Sequence, residues 1–208
     1  MYLLARQANL RGLDFEKWAV EIGAAASAGI GNDVAVWATV LSHGVGTVTW
    51  TSNWEDLSAI ERGFANLMTD TKYRDLAAQG AELVNGPIND TLYDTVYEGN
   101  APSTDATYAG TVTAVCAPGN FARGMMGGVE IAQAVEKATG TSTAFLAGQT
   151  GPYGSVVWIA GYKDIAAYET AQKALAADME FVGMIDAITG AYQPDSQITL
   201  ATLHMRLS

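Results

Sequence analysis

Apolar and polar positions along this chain change period at regular intervals, and each change predicts a new element. Tyr2–Ala8 reads as a short strand. Asp14 then offers an N-cap oxygen to a helix whose Phe15, Trp18, Ile22 and Ala25 recur at helical spacing, and Gly29 and Gly31 end it. Val34–Leu41 is a β-branched, apolar strand, joined through the turn Ser42-His43-Gly44-Val45-Gly46 to the strand Thr47–Thr51. Asn53 or Asp56 caps a helix with Leu57, Ile60, Phe64 and Leu67 on one face, and a second helical piece carries Tyr73, Leu76 and Leu83. Gly86-Pro87 breaks that piece before a strand over Asp90–Tyr97. The same order then recurs: Tyr108–Ala114, a helix from Phe121 to about Thr139, Thr143–Gln149, a turn at Gly151–Gly154, Ser155–Ala160, further helices and Ile198–Leu207.

The recurrence extends to residue identities. Gly46–Leu67 lies over Gly154–Leu175 without a gap at an offset of 108, pairing Gly46 with Gly154, Val48 with Val156, Trp50 with Trp158, Asp56 with Asp164, Ala59 with Ala167, Glu61 with Glu169 and Leu67 with Leu175. The same offset pairs Asp70 with Asp178 and Tyr73 with Phe181; nearer the start, an offset of 106 pairs Tyr2 with Tyr108, Ala8 with Ala114 and Phe15 with Phe121. A period of this length is the mark of a repeated structural unit. The copies are assigned to residues 1–98 and 107–208, with the Gly-, Pro- and Asp-containing stretch 99–106 as linker.

Each copy reads β-α-β-β-α-β, the ferredoxin-like plan. Val34, Val36, Ala38 and Val40 make one face of the second strand apolar, and Trp37 and Leu41 make the other face apolar too. An antiparallel sheet with one wet face alternates more cleanly. The second face therefore needs a cover, and the expected fold class is α+β: two ferredoxin-like repeats whose antiparallel sheets pack into one pseudo-dimeric α/β barrel, helices outside. Further homo-oligomerisation is left open.

Composition narrows the function classes. The 208 residues are 49% hydrophobic and 16% charged, enough for a packed core. A net charge of −11 without a basic run argues against nucleic acid and anionic membrane as partners. Arg6 arrives too early for a signal-peptide apolar region, no apolar stretch reaches spanning length, and Cys116 is the one cysteine, so a reducing cytoplasm is expected. Neither Gly124-Met125-Met126-Gly127-Gly128 nor Gly29-Ile30-Gly31 has the spacing of a nucleotide loop, and no metal site or cofactor is expected.

The strand-turn-helix Thr47-Val48-Thr49-Trp50-Thr51-Ser52-Asn53-Trp54-Glu55-Asp56-Leu57, followed by Met68-Thr69-Asp70-Thr71-Lys72-Tyr73, resembles the dimeric α/β-barrel superfamily. That resemblance implies two ferredoxin-like units joined in a barrel. It also implies a choice among cofactor-free monooxygenases, lactone isomerases, haem-degrading enzymes, haem peroxidases and non-catalytic members; the His-containing motifs of several catalytic branches are absent from this sequence.

Candidate chemistry is sparse. His43 and His204 are the two imidazoles available as base or haem ligand. Asp94 with Arg6 is the candidate acid or base and its partner. The paired Trp50 and Trp158, with Trp37, Tyr93 and Tyr97, are the flat surfaces that would hold an aromatic molecule, or else anchor each sheet to its helices. The expected function is binding of a small apolar or aromatic molecule in a cleft. The alternatives are a cofactor-independent monooxygenase or isomerase acting on an aromatic or lipid-like substrate, and a non-catalytic assembly protein.

Overall fold

The structure, a computed structural model, describes residues 1–12, 15–44, 46–100, 105–194 and 200–208. In chain order the elements are β1 (Tyr2–Asn9), α1 (Phe15–Ile30), β2 (Ala35–Val40), β3 (Thr47–Trp54), α2 (Leu57–Thr69), α3 (Thr71–Gly80) and β4 (Asn89–Tyr97). They are followed by β5 (Tyr108–Val115), α4 (Phe121–Thr139), β6 (Thr143–Gly148), β7 (Ser155–Tyr162), α5 (Ile165–Ala177), α6 (Met179–Ile188), a 3-10 turn over Thr189–Ala191 and β8 (Leu200–Arg206). The strands form a closed antiparallel barrel in the order β1-β3-β2-β8-β5-β7-β6-β4. Closure removes the sheet edges.

Two compact units divide the chain: Met1–Tyr93 with Met205–Ser208, and Asp94–His204. In unit 1, β3 runs antiparallel to both β1 and β2, with Arg6 and Val36 flanking Trp50. The last residues complete it, Leu207 N–H donating to the Val36 carbonyl (2.7 Å) and Val36 N–H to that of Ser208 (3.0 Å). In unit 2 the register is the same, with Val112 and Phe145 flanking Trp158. The linker residues 101–104 and the start of the last predicted strand lie outside the described residues, as does the Asp14 cap.

Several residues shared by the two halves are helix caps. Asp56 accepts from Ala59 N–H and Asp164 from Ala167 N–H, both at 2.7 Å; Asp70 and Asp178 accept from Tyr73 and Phe181 N–H in the next helices. Each carboxylate satisfies an orphan donor of a first turn.

Three local expectations are corrected. Gly29 lies inside α1, close to Leu67, and the helix ends instead at Gly31, whose left-handed φ of 68° lets Gly31 and Asn32 N–H both reach the Ser27 carbonyl. Leu41 shares no face with Trp37: β2 stops at Val40, and Leu41 turns out at φ 50° with 83% of its surface exposed. Leu83 falls in the turn after α3, which ends at Gly80 where the Trp18 ring packs too closely for any Cβ. Among the described residues no helix is long and apolar enough to cross a membrane.

Candidate functional site

Alternation along β1 and β3 sends Leu4, Arg6, Ala8, Trp50, Ser52 and Trp54 to the face that unit 1 covers with helices. That cover is incomplete. Between the sheet and α1, α2 and α3 lies a cavity of about 420 Å³, within the size range of small-molecule sites. Its walls are mostly apolar: Trp18, Ile22 and Ile30 come from α1, Phe64 and Leu67 from α2, and Val84, Gly86 and Ile88 from the loop after α3. The indoles are held firmly. Trp50 Nε1–H donates to the Ala19 carbonyl (2.9 Å), Trp18 Nε1–H to that of Leu76 (2.9 Å) and Trp54 Nε1–H to Ser52 Oγ (2.7 Å), while Trp18 meets Trp50 edge-on at 5.9 Å.

One polar pole interrupts this wall. Arg6 and Tyr73 line the cavity, and Asp90, at the start of β4, holds Arg6 from behind. The guanidinium makes a bidentate pair with Asp90, Nε to Oδ1 at 2.8 Å and Nη2 to Oδ2 at 2.7 Å, and donates through Nη1 to the Tyr73 hydroxyl at 3.1 Å. Its carbon also sits 5.6 Å from the centre of the Phe64 ring. Hydrogen bonding to Asp90 raises the Arg6 pKa against the opposing effect of burial, so Arg6 stays charged.

Unit 2 has the same frame, and among its described residues large rings pack where unit 1 has small side chains. Where Val36 flanks Trp50, Phe145 flanks Trp158 with no exposed surface, its ring 5.1 Å from the indole. Where Val84 bridges Leu10, Tyr192 bridges Cys116 and meets Trp158 edge-on at 5.4 Å, its hydroxyl donating to the Gly124 carbonyl at 2.6 Å. Burial raises the Tyr192 pKa, so that phenol stays neutral. Val36 and Val84 of unit 1 thus have the large aromatic counterparts Phe145 and Tyr192. The polar pole is replaced as well: Val112 pairs with Trp158 as Arg6 does with Trp50, Phe181 follows its Asp178 cap as Tyr73 follows Asp70, and Ile198 is the sequence counterpart of Asp90.

Of the residues singled out from sequence as catalytic or ligand-binding, Trp50 and Arg6 line the cavity. Trp158 is 8% exposed in the unit 2 core, its Nε1–H on the Gly128 carbonyl at 2.8 Å. Trp37 points to the opposite sheet face, bonding Thr51 Oγ1 at 3.0 Å beneath Arg206. Tyr93 and Asp94 on β4 do not line the cavity, and the partner of Arg6 is Asp90, because the strand placement brings the start of β4 to Arg6. Tyr97 donates to Glu136 at 2.6 Å, and that carboxylate also accepts from Asn100 and Thr143 N–H, a network that pins the segment after β4 to α4. His43 is exposed in its turn. His204 lies 3.2 Å from Thr111 Oγ1, and burial lowers its pKa to about 4. Neither imidazole reaches the cavity, whose residues therefore do not fit a haem iron. Burial likewise raises the pKa of the Cys116 thiol, which makes it a poor nucleophile.

Sequence reasoning does not single out Asp90, Tyr73 or Trp18 as site residues. The signal for the first two is present in the repeat itself, at positions where one copy is polar and the other apolar.

No protein-family model matches the chain, and no curated protein is similar to it. Solved structures are. The "putative monooxygenase" of Fusobacterium nucleatum superposes with a TM-score of 0.70 at 13% identity, over 100% of this chain and 92% of its own. An "anthrone oxidase-like protein" gives 0.71 at 11% identity, over 99% and 90%, and the "putative monooxygenase" of Lactobacillus acidophilus 0.65 at 8%, over 100% and 94%. The chain has the dimeric α/β-barrel fold, with the whole barrel in one polypeptide.

Proposed function

We propose that unit 1 binds one small, flat, aromatic molecule between its sheet and its helices, and that unit 2 is the structural half of a tandem duplication. The observation that carries this reading is the difference between two equivalent spaces: one is hollow and has a polar pole, the other is closed by Phe145 and Tyr192. Trp18, Trp50, Trp54 and Phe64 would hold the rings, and Arg6 and Tyr73 would face the ligand's oxygen. Duplication frees one copy to close while the other keeps its site. The lone buried thiol of Cys116 suits a reducing cytoplasm.

A second reading is favoured by the likeness to monooxygenase-type structures: cofactor-independent oxidation of such a ligand, with dioxygen as co-substrate. The experiment for both is native mass spectrometry with anthrone, paired with an oxygen electrode. Binding of one anthrone per chain supports the site, and anthrone-dependent oxygen uptake adds the activity. Retention of the ligand without uptake leaves a binding protein. No retained ligand in repeated titrations refutes the site.

A further inference from the structure

We infer that the Arg6–Asp90–Tyr73 trio selects an uncharged aromatic ligand that presents an oxygen acceptor, that it excludes carboxylates, and that Tyr73 is the specificity-determining residue. This rests on the proposed unit 1 site. An arginine in an apolar cavity would by itself mark an anion site. Here the positive charge is already neutralised. Asp90 closes the fork of Arg6 through Nε and Nη2, and Phe64 lies over the guanidinium carbon. An incoming carboxylate would lose its water and meet a neutral pair whose own carboxylate stands just behind it.

Tyr73 acts in the other direction. Its hydroxyl accepts from Arg6 Nη1, and among the described residues its own proton meets no acceptor. A hydroxyl that accepts one bond keeps one proton to donate, and this one belongs to a residue lining the cavity. Polarisation by the guanidinium makes it a better donor to a neutral ketone, ether or phenol oxygen. The trio is not repeated in unit 2, where Val112 and Phe181 stand at the positions of Arg6 and Tyr73 and Ile198 is the sequence counterpart of Asp90.

The test is isothermal titration calorimetry with three probes of one ring system: naphthol, naphthoate and naphthalene. Wild-type protein should bind naphthol about tenfold more tightly than naphthalene, the worth of one good hydrogen bond, and naphthoate more weakly than either. Tyr73→Phe, which installs the residue unit 2 carries, should erase the preference for naphthol while leaving naphthalene binding unchanged. Asp90→Asn should unmask Arg6 and tighten naphthoate at least about tenfold. Equal wild-type affinity for naphthol and naphthoate, unaltered by Asp90→Asn, overturns the selectivity while leaving the site standing. A naphthol preference that survives Tyr73→Phe overturns the role of Tyr73. Failure of all three probes to bind wild-type protein refutes the site itself.

Discussion

Truncating Trp158 and Trp50 to alanine in turn removes the same side chain from equivalent strands, and the structure assigns the two losses different sizes. Trp158 is enclosed by Phe145 and Tyr192, and its N–H is satisfied in the core. Its removal leaves a void lined by rigid rings, so Trp158→Ala should cost ~3–5 kcal/mol. Trp50 already borders about 420 Å³ of empty space and is packed on fewer sides. Less packing is forfeited there, and the neighbouring void allows Trp18 to relax, so Trp50→Ala should cost roughly half as much, ~2 kcal/mol. For a chain of this length each kcal/mol moves the melting point by about 2–4 °C, which places the two variants about 4–8 °C apart. Scanning calorimetry, with circular dichroism to verify that native secondary structure is retained, reads the difference. Equal losses, or a larger loss for Trp50→Ala, would falsify the claim that one half is hollow and the other packed.

Two further outcomes follow from packing and charge. Gly128→Ala should lower stability by ~1–3 kcal/mol, because its Cβ would lie 2.1 Å from Cζ of the fully buried Phe145, whereas Gly183→Ala in open space on α6 should raise it by up to ~1 kcal/mol; urea melts compare them. His204 has a pKa of about 4 in the folded chain against the ordinary histidine value of 6.5, so the unfolded state takes up the proton first and stability is lost as pH falls through that window. Chemical melts should show about 2 kcal/mol lost between pH 6.5 and about pH 5, and His204→Gln should flatten that slope; an unchanged slope would show the ring to be accessible.

The element order, the hairpins, Asp56 as one of two candidate caps and the α4 limits Phe121–Thr139 were legible because turn residues and periodicity are local properties. The departure at Leu41 was not, since a left-handed leucine has no compositional mark. Nor was the partner of Arg6: Asp90 and Asp94 lie on the same face of β4, and only the placement of that strand chooses between them. The site itself was half legible. Trp50 and Trp158 are identical in sequence and local register, and their fates diverge through neighbours brought from elsewhere, Val36 and Val84 in one unit and Phe145 and Tyr192 in the other. Whether a small residue leaves a cavity or lets its neighbours close in is a question of packing in three dimensions, which no single position records.

The most direct test of the unit 1 site is calorimetric titration of naphthol into wild-type protein and into Val84→Tyr, which gives the cavity wall the residue that unit 2 carries as Tyr192. One ligand per chain for the wild type, and none for Val84→Tyr at unchanged or higher melting temperature, is the predicted result. Two ligands per chain, or full binding by folded Val84→Tyr, would contradict it.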